Sequence, residues 1–196
     1  VVGPAVTRTE TTAPYTTSTI INVGDGGFAN EPFNAANLGI EFGPDGNLYV
    51  ISTRDSGGLQ SSIKRYDGDT FAYIDDFVAE TAGDWQDFGF HTDGYLYVSD
   101  YSNGVYRYDA TTGAYVDQYS TLTPAYSIKF SPDGNLLLTL LGDDVHLFSA
   151  PSTSTVVYNQ VGPATKIASY LPPACYDWGD AADSGAIGSN FYTHPV

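Results

Sequence analysis

A short segment with an Asp-Gly pair occurs three times in this chain and constrains its fold more than any other feature. It reads FGPDGNLYV from Phe42, FHTDGYLYV from Phe90 and FSPDGNLLL from Phe130. The Asp-Gly pairs are 48 and 40 residues apart. Asp-Gly adopts the positive φ of tight β-hairpins, and the proline before it in two copies presets the turn. The repeat therefore predicts three equivalent hairpins.

A second segment follows each Asp-Gly turn in the same order. It reads KRYDGDT from Lys64, YRYDATTG from Tyr106 and HLFSAPST from His146, and its central aromatic residues are 42 and 40 residues apart. β-Branched, aromatic and aliphatic residues surround both segments with a period of two, which is typical of strands. Each unit then has one strand before the Asp-Gly turn, one after it, one at the second segment and one beyond. A four-stranded unit of about 40 residues is the blade of a β-propeller.

The predicted fold is therefore all-β, with three clear four-stranded propeller-type units, additional terminal strands and little or no helix. We expect a Thr-rich N-terminal arm at residues 1–19, the repeat domain at 20–161, and a partial fourth unit with a turn-rich tail at 162–196. Three blades do not close a ring, because propellers have about 4 to 8. Three solutions stay open: a four-bladed ring completed by both termini, a larger ring shared by two chains, or open sheet edges that bind a neighbour.

The charge of the chain excludes several classes of function. Seven Lys+Arg against 23 Asp+Glu give a formal net charge of −16 at pH 7. Phosphate backbones and anionic lipids would repel such a chain, so we expect neither nucleic-acid binding nor membrane insertion. The chain has no Met, one Cys and 16 Tyr, a composition that favours an exported protein. We expect a secreted, extracellular or cell-surface location.

The pattern PDGNLYV…YRYDATTGAYV, within residues 37–161, resembles the NHL-type and gluconolactonase-like propeller repeats of secreted bacterial or archaeal proteins. The resemblance implies the propeller fold. Gluconolactonase-like propellers bind a divalent cation in the central channel through carboxylate and amide side chains. The resemblance implies that the candidate cation ligands follow the second strand of each unit. In this chain those residues are Asp55, Asp100, Asn103, Asp143 and Asp144.

Motifs of catalytic sites are not found in the sequence. The stretch RDSGG from Arg54 is similar to the nucleophile segment of trypsin-like proteases, but it lies in a predicted loop and lacks the histidine context of a triad. The three histidines, His91, His146 and His194, do not have metal-ligand spacing. We therefore predict no catalytic residues and no required cofactor.

Two candidate binding sites for external ligands remain. Asp177, Asp180 and Asp183 lie close together in the tail among glycines, which suits the flexible oxygen coordination of calcium. Calcium is therefore the one candidate ion. Trp85 and Trp178 are expected to be exposed aromatic residues that bind a ligand. Extracellular glycans are the candidate partners for them.

The N-terminal segment leads to the functional hypothesis. It is rich in Thr, a strand former when a partner strand is available, and we expect it to add to a sheet edge of its own chain or of a neighbouring copy. The sequence thus favours a secreted structural or interaction protein that self-assembles into a filament or surface layer. The alternatives are a glycan- or ligand-binding module and a metal-dependent lactonase-like hydrolase. The candidate assembly residues are Thr7, Thr9, Thr11, Thr17, Ile20, Ile21 and Val23.

Overall fold

A computed structural model of the chain describes residues 6–14, 16–22, 24–28, 39–55, 58–141 and 144–158. Within these ranges the chain is strand and turn, apart from one 3-10 turn at Asp25–Gly27. The strands, numbered β1 to β14 in chain order, are Val6–Thr9, Thr17–Ile21, Ile40–Phe42, Leu48–Asp55, Leu59–Tyr66, Tyr73–Ala82, Trp85–Phe90, Tyr95–Asp100, Gly104–Asp109, Tyr115–Ser120, Ala125–Phe130, Leu136–Leu140, Val145–Ala150 and Thr153–Tyr158. The described ranges include no helix of the length and hydrophobicity that crossing a bilayer requires.

Strands β3 to β14 form three four-stranded antiparallel sheets, in which each strand pairs with the next one along the chain. We call them blade 1 (β3–β6), blade 2 (β7–β10) and blade 3 (β11–β14). The first hairpin of each blade contains an Asp-Gly pair, and the glycines Gly46, Gly94 and Gly134 have φ of +81°, +88° and +79°. The prediction of an all-β fold with three propeller-type units is confirmed.

The blades are stacked face to face through two hydrophobic cores. Side chains on a strand alternate between the face toward the preceding blade and the face toward the next one. Full burial of one large apolar side chain contributes about 1.5–3 kcal/mol, so these cores supply most of the stability of the stack. The core between blades 1 and 2 contains Tyr49, Ile51, Ile63, Phe77, Val78, Trp85, Phe88, Leu96, Val98 and Tyr108. The core between blades 2 and 3 contains Tyr97, Val105, Tyr119, Ala125, Ile128, Leu136, Leu138, Leu140 and Phe148.

A tyrosine in the second strand of blades 1 and 2 links each core to the Asp-Gly turn. The Tyr49 hydroxyl donates to Oδ2 of Asp45 over 3.0 Å, and its ring packs edge-on against Phe90 of blade 2 with 4.8 Å between centroids. In blade 2 the Tyr97 hydroxyl lies 2.8 Å from the carboxylate of its own turn, and the ring lies 5.3 Å from Phe130. The same residue thus joins a turn to the next blade at both interfaces.

An arginine in the third strand of blades 1 and 2 forms a bidentate ion pair with an aspartate in the fourth. Arg65 donates to Asp75 over 3.0 and 2.6 Å, and Arg107 donates to Asp117 over 2.8 and 2.6 Å. The hydrogen bonds from Arg107 hold the pKa of Asp117 below its usual value. Leu147 occupies this position in blade 3. Blade 3 therefore has an apolar residue where blades 1 and 2 have the arginine of this ion pair.

The N-terminal segment folds back on itself. β1 and β2 form a separate two-stranded antiparallel sheet, and among the described residues neither strand pairs with a blade. Ile21 at the end of β2 is fully buried against Leu48, Val50 and Tyr66 of blade 1, together with Phe28. In the described part of the arm, the expected pairing with a blade edge of its own chain is therefore not formed. β2 also runs across the boundary that the sequence suggested after residue 19.

Gly113, in the outer turn of blade 2, provides a test of how closely blades 1 and 2 approach. Its φ is +71°, and a Cβ there would overlap the carbonyl oxygen of Phe77 in blade 1. Gly113→Ala should therefore cost about 1–2 kcal/mol in backbone strain and a further ~1–3 kcal/mol in overpacking. Gly94→Ala is the matched control, because its φ is +88° and a Cβ would meet no atom within 4 Å. Urea unfolding measures both, and equal losses would contradict this packing.

Candidate functional site

The first strands of the three blades lie side by side at one edge of the stack. β7 contacts β3 on one side and β11 on the other. In a propeller the first strand of each blade is the innermost one and lines the central channel. A site built from several blades is therefore expected along these three strands.

A cluster of charged residues takes one member from each inner strand. Glu41 lies on β3, Asp87 on β7 and Lys129 on β11, and the Lys129 Nζ lies 3.7 Å from Oδ2 of Asp87. Glu41 interacts electrostatically with both of the other residues. Gly89 occupies the place in blade 2 that Glu41 has in blade 1, and a Cβ there would lie 3.8 Å from the Glu41 carboxylate. The nearest neighbour of such a Cβ would be the Phe130 ring at 3.0 Å, so the glycine leaves room for that ring. We call Glu41, Asp87 and Lys129 the inner cluster.

Asp87 also joins blades 2 and 3. Its side chain is buried, and Oδ2 accepts hydrogen bonds from the Ser127 hydroxyl at 2.8 Å and from the backbone N–H of Ile128 at 3.2 Å. A buried carboxylate needs such donors, because an unpaired one would carry a large desolvation cost. Asp87 is therefore committed to the contact between blades, and Glu41 is the more accessible carboxylate of the inner cluster.

The surroundings of Glu41 change its acidity. Desolvation by neighbouring protein raises the pKa of Glu41 above its usual value, and the charge of Asp87 acts in the same direction. The charge of Lys129 and a hydrogen bond from the backbone of Phe90 oppose this increase in pKa. Carboxylates with raised pKa occur at proton-transfer sites and in structural ion-pair networks. The geometry of the inner cluster does not by itself define a reaction.

Asp100 and Asn103, which the family resemblance placed in a metal site, form a turn. Asp100 is fully buried, and its Oδ1 accepts hydrogen bonds from the backbone N–H of Ser102 at 2.9 Å and from the backbone and side chain of Asn103 at 3.0 and 2.9 Å. Its Oδ2 accepts one from the backbone N–H of Asp84 at 3.2 Å. Burial and the charge of Asp100 raise the pKa of Asp84. These contacts give Asp100 a structural role in the hairpin between β8 and β9.

The other metal candidates are not brought together. Across the described residues no three His, Cys, Asp or Glu side chains are close enough to hold a metal ion. Asp144 lies just before β13, and its backbone carbonyl accepts a hydrogen bond from Leu140 at 3.1 Å. Asp143 and the side chain of Asp55 lie outside the described residues, and so do the tail candidates Asp177, Trp178, Asp180 and Asp183.

Trp85 is not an exposed aromatic residue. It is 1% exposed and packs at 60° against Tyr108, with 5.7 Å between ring centroids. The expectation that it is exposed is wrong, because it begins the inner strand β7 on the face that meets blade 1. The exposed aromatic residue of blade 2 is Tyr115, with 59% exposure.

The candidate assembly residues fall into two groups. The threonines are exposed, and the hydroxyls of Thr9 and Thr17 lie 2.9 Å apart across the hairpin. Ile20 is half-buried and Ile21 is buried against blade 1. The isoleucines therefore attach the hairpin to its own chain. Thr7 lies in β1 and Thr11 in the connection between the strands, and Val23 is outside the described residues.

The inner cluster was missed by analysis of the sequence, although the repeat contained a signal for it. Glu41, Gly89 and Lys129 each stand one residue before the phenylalanine that opens the Asp-Gly segment. Equivalent positions in successive blades lie at the same level of the inner edge. An acidic residue, a glycine and a basic residue at one level indicate a polar site. Asp87 has no acidic equivalent in the other blades and could not be found in this way.

Comparison with known proteins supports the fold and no more. The sequence matches no family model, and no curated protein is similar to it. A solved structure described as a "putative gluconolactonase" is 16% identical, with a TM-score of 0.57. The match covers 83% of this chain and 59% of that chain, so this chain spans less than two thirds of its length. The resemblance to gluconolactonase-like repeats therefore holds for the propeller-like fold alone.

Two computationally designed proteins are also similar in structure. Ika4 is 12% identical, with a TM-score of 0.49, over 74% of this chain and 86% of its own. Ika8 is 13% identical, with a TM-score of 0.47, over 73% of this chain and 42% of its own. With TM-scores below 0.5, neither match adds to the argument. The class that the described blades define is a propeller-type β-repeat protein.

The raised pKa of Glu41 predicts a pH-dependent effect of Glu41→Gln. The folded state binds this proton more tightly than the unfolded state, so the stability of the wild type falls as pH rises through the raised pKa. The glutamine variant lacks this loss. Between about pH 4 and pH 7 the free energy of unfolding of Glu41→Gln should rise relative to that of the wild type. The gain should reach at most about 1 kcal/mol, because solvent screens the charges around Glu41.

Unfolding by urea at a series of pH values measures this difference. In a Lys129→Met background the effect of Glu41→Gln should grow, because the opposing positive charge is removed. A difference between wild type and Glu41→Gln that stays constant across the pH range would contradict the proposed environment of Glu41.

Proposed function

We propose that this protein is a secreted structural or interaction protein whose copies associate end to end through their blade faces. One observation carries the proposal. Both ends of the three-blade stack expose residues whose equivalents are buried between blades. Exposed apolar surfaces of this kind are typical of protein–protein contacts.

The first exposed end belongs to blade 1. Ile40 and Phe42 on β3 are 50% and 56% exposed. Ile40 has the position of Phe88 in blade 2 and Ile128 in blade 3, which are 1% and 0% exposed because the preceding blade covers them. The N-terminal hairpin covers another part of this face, around Leu48. The described residues leave the part next to the inner edge half exposed, at Ile40 and Phe42.

The second exposed end belongs to blade 3. Val157 on β14 is 51% exposed. The strand register gives it the position of Phe77 in blade 1 and Tyr119 in blade 2, which are each 7% exposed because the following blade covers them. No following blade lies among the described residues, and the partial fourth unit predicted at 162–196 falls outside them.

The two ends are complementary, because they present the same two types of face that meet between neighbouring blades. A face of the Phe77 type meets a face of the Phe88 type at the interface between blades 1 and 2 and again between blades 2 and 3. Blade 3 of one copy would meet blade 1 of a second copy in the same way. Such a head-to-tail contact closes into a ring or continues as a filament. A charge of −16 per copy opposes association, so added salt should favour it.

Strand addition by the N-terminal hairpin is the second mode of self-association. β1 and β2 form a sheet of two strands, so each strand has an outer edge that is not used for pairing within the described chain. Open edges of this kind accept a strand from a neighbour. This mode does not use Ile40, Phe42 or Val157, and the same experiment therefore separates the two.

Sedimentation velocity over a range of protein concentrations tests the proposal. The wild type should form larger species as concentration rises, and Phe42→Ser and Val157→Ser should each weaken association by about tenfold or more, because each places a polar group in an apolar contact. Val116→Ser is the matched control. Val116 is 40% exposed but lies in the middle blade.

Circular dichroism of each variant verifies that the fold is intact. Monomers at all concentrations in the wild type would contradict self-association. Association that survives both end variants would contradict the blade-face mode and favour strand addition. Equal weakening by Val116→Ser would show that the effect is not specific to the ends.

A further inference from the structure

A groove of about 470 Å³ lies between the outer strand of blade 1 and the outer hairpin of blade 2. Tyr106, Tyr108 and Tyr115 form one wall, and residues 78–82 of β6 form the other. Sites for small ligands commonly have volumes of about 300–1,000 Å³. The groove is therefore large enough for a ligand of one or a few rings, and it shares no residue with the two exposed blade ends.

The three tyrosines hold one another at fixed angles. The Tyr115 ring stands at 67° to Tyr106 and at 74° to Tyr108, with 6.1 and 5.7 Å between centroids. Tyr108 is 6% exposed and anchors the group in the core, whereas Tyr115 is 59% exposed. An exposed aromatic ring that is already ordered loses little entropy when a ligand binds to it. Such rings provide flat apolar surfaces for the carbon–hydrogen faces of a sugar.

The opposite wall of the groove is polar. It includes the Glu80 carboxylate, which also bonds Arg54, and the exposed side chain of Thr81. β6 is the last strand of blade 1, so its outer backbone groups are not paired by the sheet. Carboxylate, hydroxyl and free backbone groups are hydrogen-bonding partners for sugar hydroxyls. Aromatic faces opposite such groups form the chemical pattern that carbohydrates require.

Blade 1 shows how an equivalent tyrosine pair is used. Tyr66 and Tyr73 have the positions of Tyr108 and Tyr115 and the same edge-on geometry, with 5.8 Å between centroids. The Tyr66 hydroxyl donates to the carbonyl of Asp25 at 3.1 Å, and the backbone of Gly26 lies directly on the Tyr73 ring. On blade 1 the pair thus holds a polar segment of its own chain. On blade 2 no described segment takes that place.

We propose that the groove of blade 2 binds a sugar ring of a neutral glycan. Tyr115 and Tyr106 stack on the ring, and Glu80 and Thr81 bond its hydroxyls. Acidic sugars are disfavoured because Glu80 lies in the groove and the chain carries a net charge of −16. This inference does not depend on self-association, since Phe42 and Val157 do not line the groove.

The test uses the full chain and a panel of neutral and acidic oligosaccharides built from glucose, galactose, mannose, N-acetylglucosamine and uronic acids. Isothermal titration should detect saturable binding of at least one neutral oligosaccharide at millimolar concentration or below. Tyr115→Ala and Tyr106→Ala should each weaken this binding by about tenfold or more, because each removes a stacking surface. Tyr115→Phe keeps the ring and should bind within about threefold of the wild type.

Tyr73→Ala is the matched control, because it removes the equivalent ring of blade 1, against which Gly26 of the same chain packs. It should lower the melting temperature and leave sugar affinity unchanged. Absence of binding to every neutral oligosaccharide, or binding of the acidic ones alone, would overturn the proposal. Binding that survives both alanine variants of blade 2 would place the ligand elsewhere and overturn it too, as would a groove that binds an extended peptide and no sugar.

Discussion

The structure depends on the tyrosine that joins one blade to the next. Tyr49 and Tyr97 each pack against a phenylalanine of the following blade, while the hydroxyl donates to the aspartate of the Asp-Gly turn. That hydrogen bond is necessary, because a buried hydroxyl without a partner would cost about 1–3 kcal/mol. Burial raises the pKa of Tyr49 to about 12, so its hydroxyl continues to donate at alkaline pH values where an exposed tyrosine would lose its proton. The repeated Asp-Gly segment therefore forms a turn and also satisfies the polar group of the interface.

This contact explains where the polar and exposed surfaces of the molecule lie. Packing of each blade against the next places the inner strands side by side, which brings Glu41, Asp87 and Lys129 together although they are far apart in sequence. At the ends of the stack the contact is incomplete. Phe42 has the position of the phenylalanines that pack against Tyr49 and Tyr97, yet it is more than half exposed. The same interaction that holds the blades together thus produces the surfaces through which we propose that copies associate.

The fold could be predicted from the sequence because the repeat shows both the order of the strands and the turns between them. Two segments recur in a fixed order, and turn chemistry defines the hairpins between them. Burial was harder to predict, because Trp85 and Tyr115 are both aromatic residues in blade 2, and only the register of strands decides that the first is buried and the second exposed. Asp100 appeared to be a metal ligand by family resemblance, and its hydrogen bonds to the turn show a structural use. The fold of the N-terminal arm depends on the packing of Ile21 against blade 1. This tertiary contact has no signal in the local sequence.

Hydrogen–deuterium exchange at several protein concentrations tests the central claim, that the two ends of the blade stack are unfinished inter-blade surfaces. The account predicts that amides of β3 (Ile40–Phe42) and β14 (Thr153–Tyr158) become more protected as concentration rises, while those of β7 to β11 stay unchanged. Protection reports local opening, and contact with a second copy would suppress it at these ends. Protection that does not depend on concentration, or that increases in β1 and β2 instead, would contradict the account.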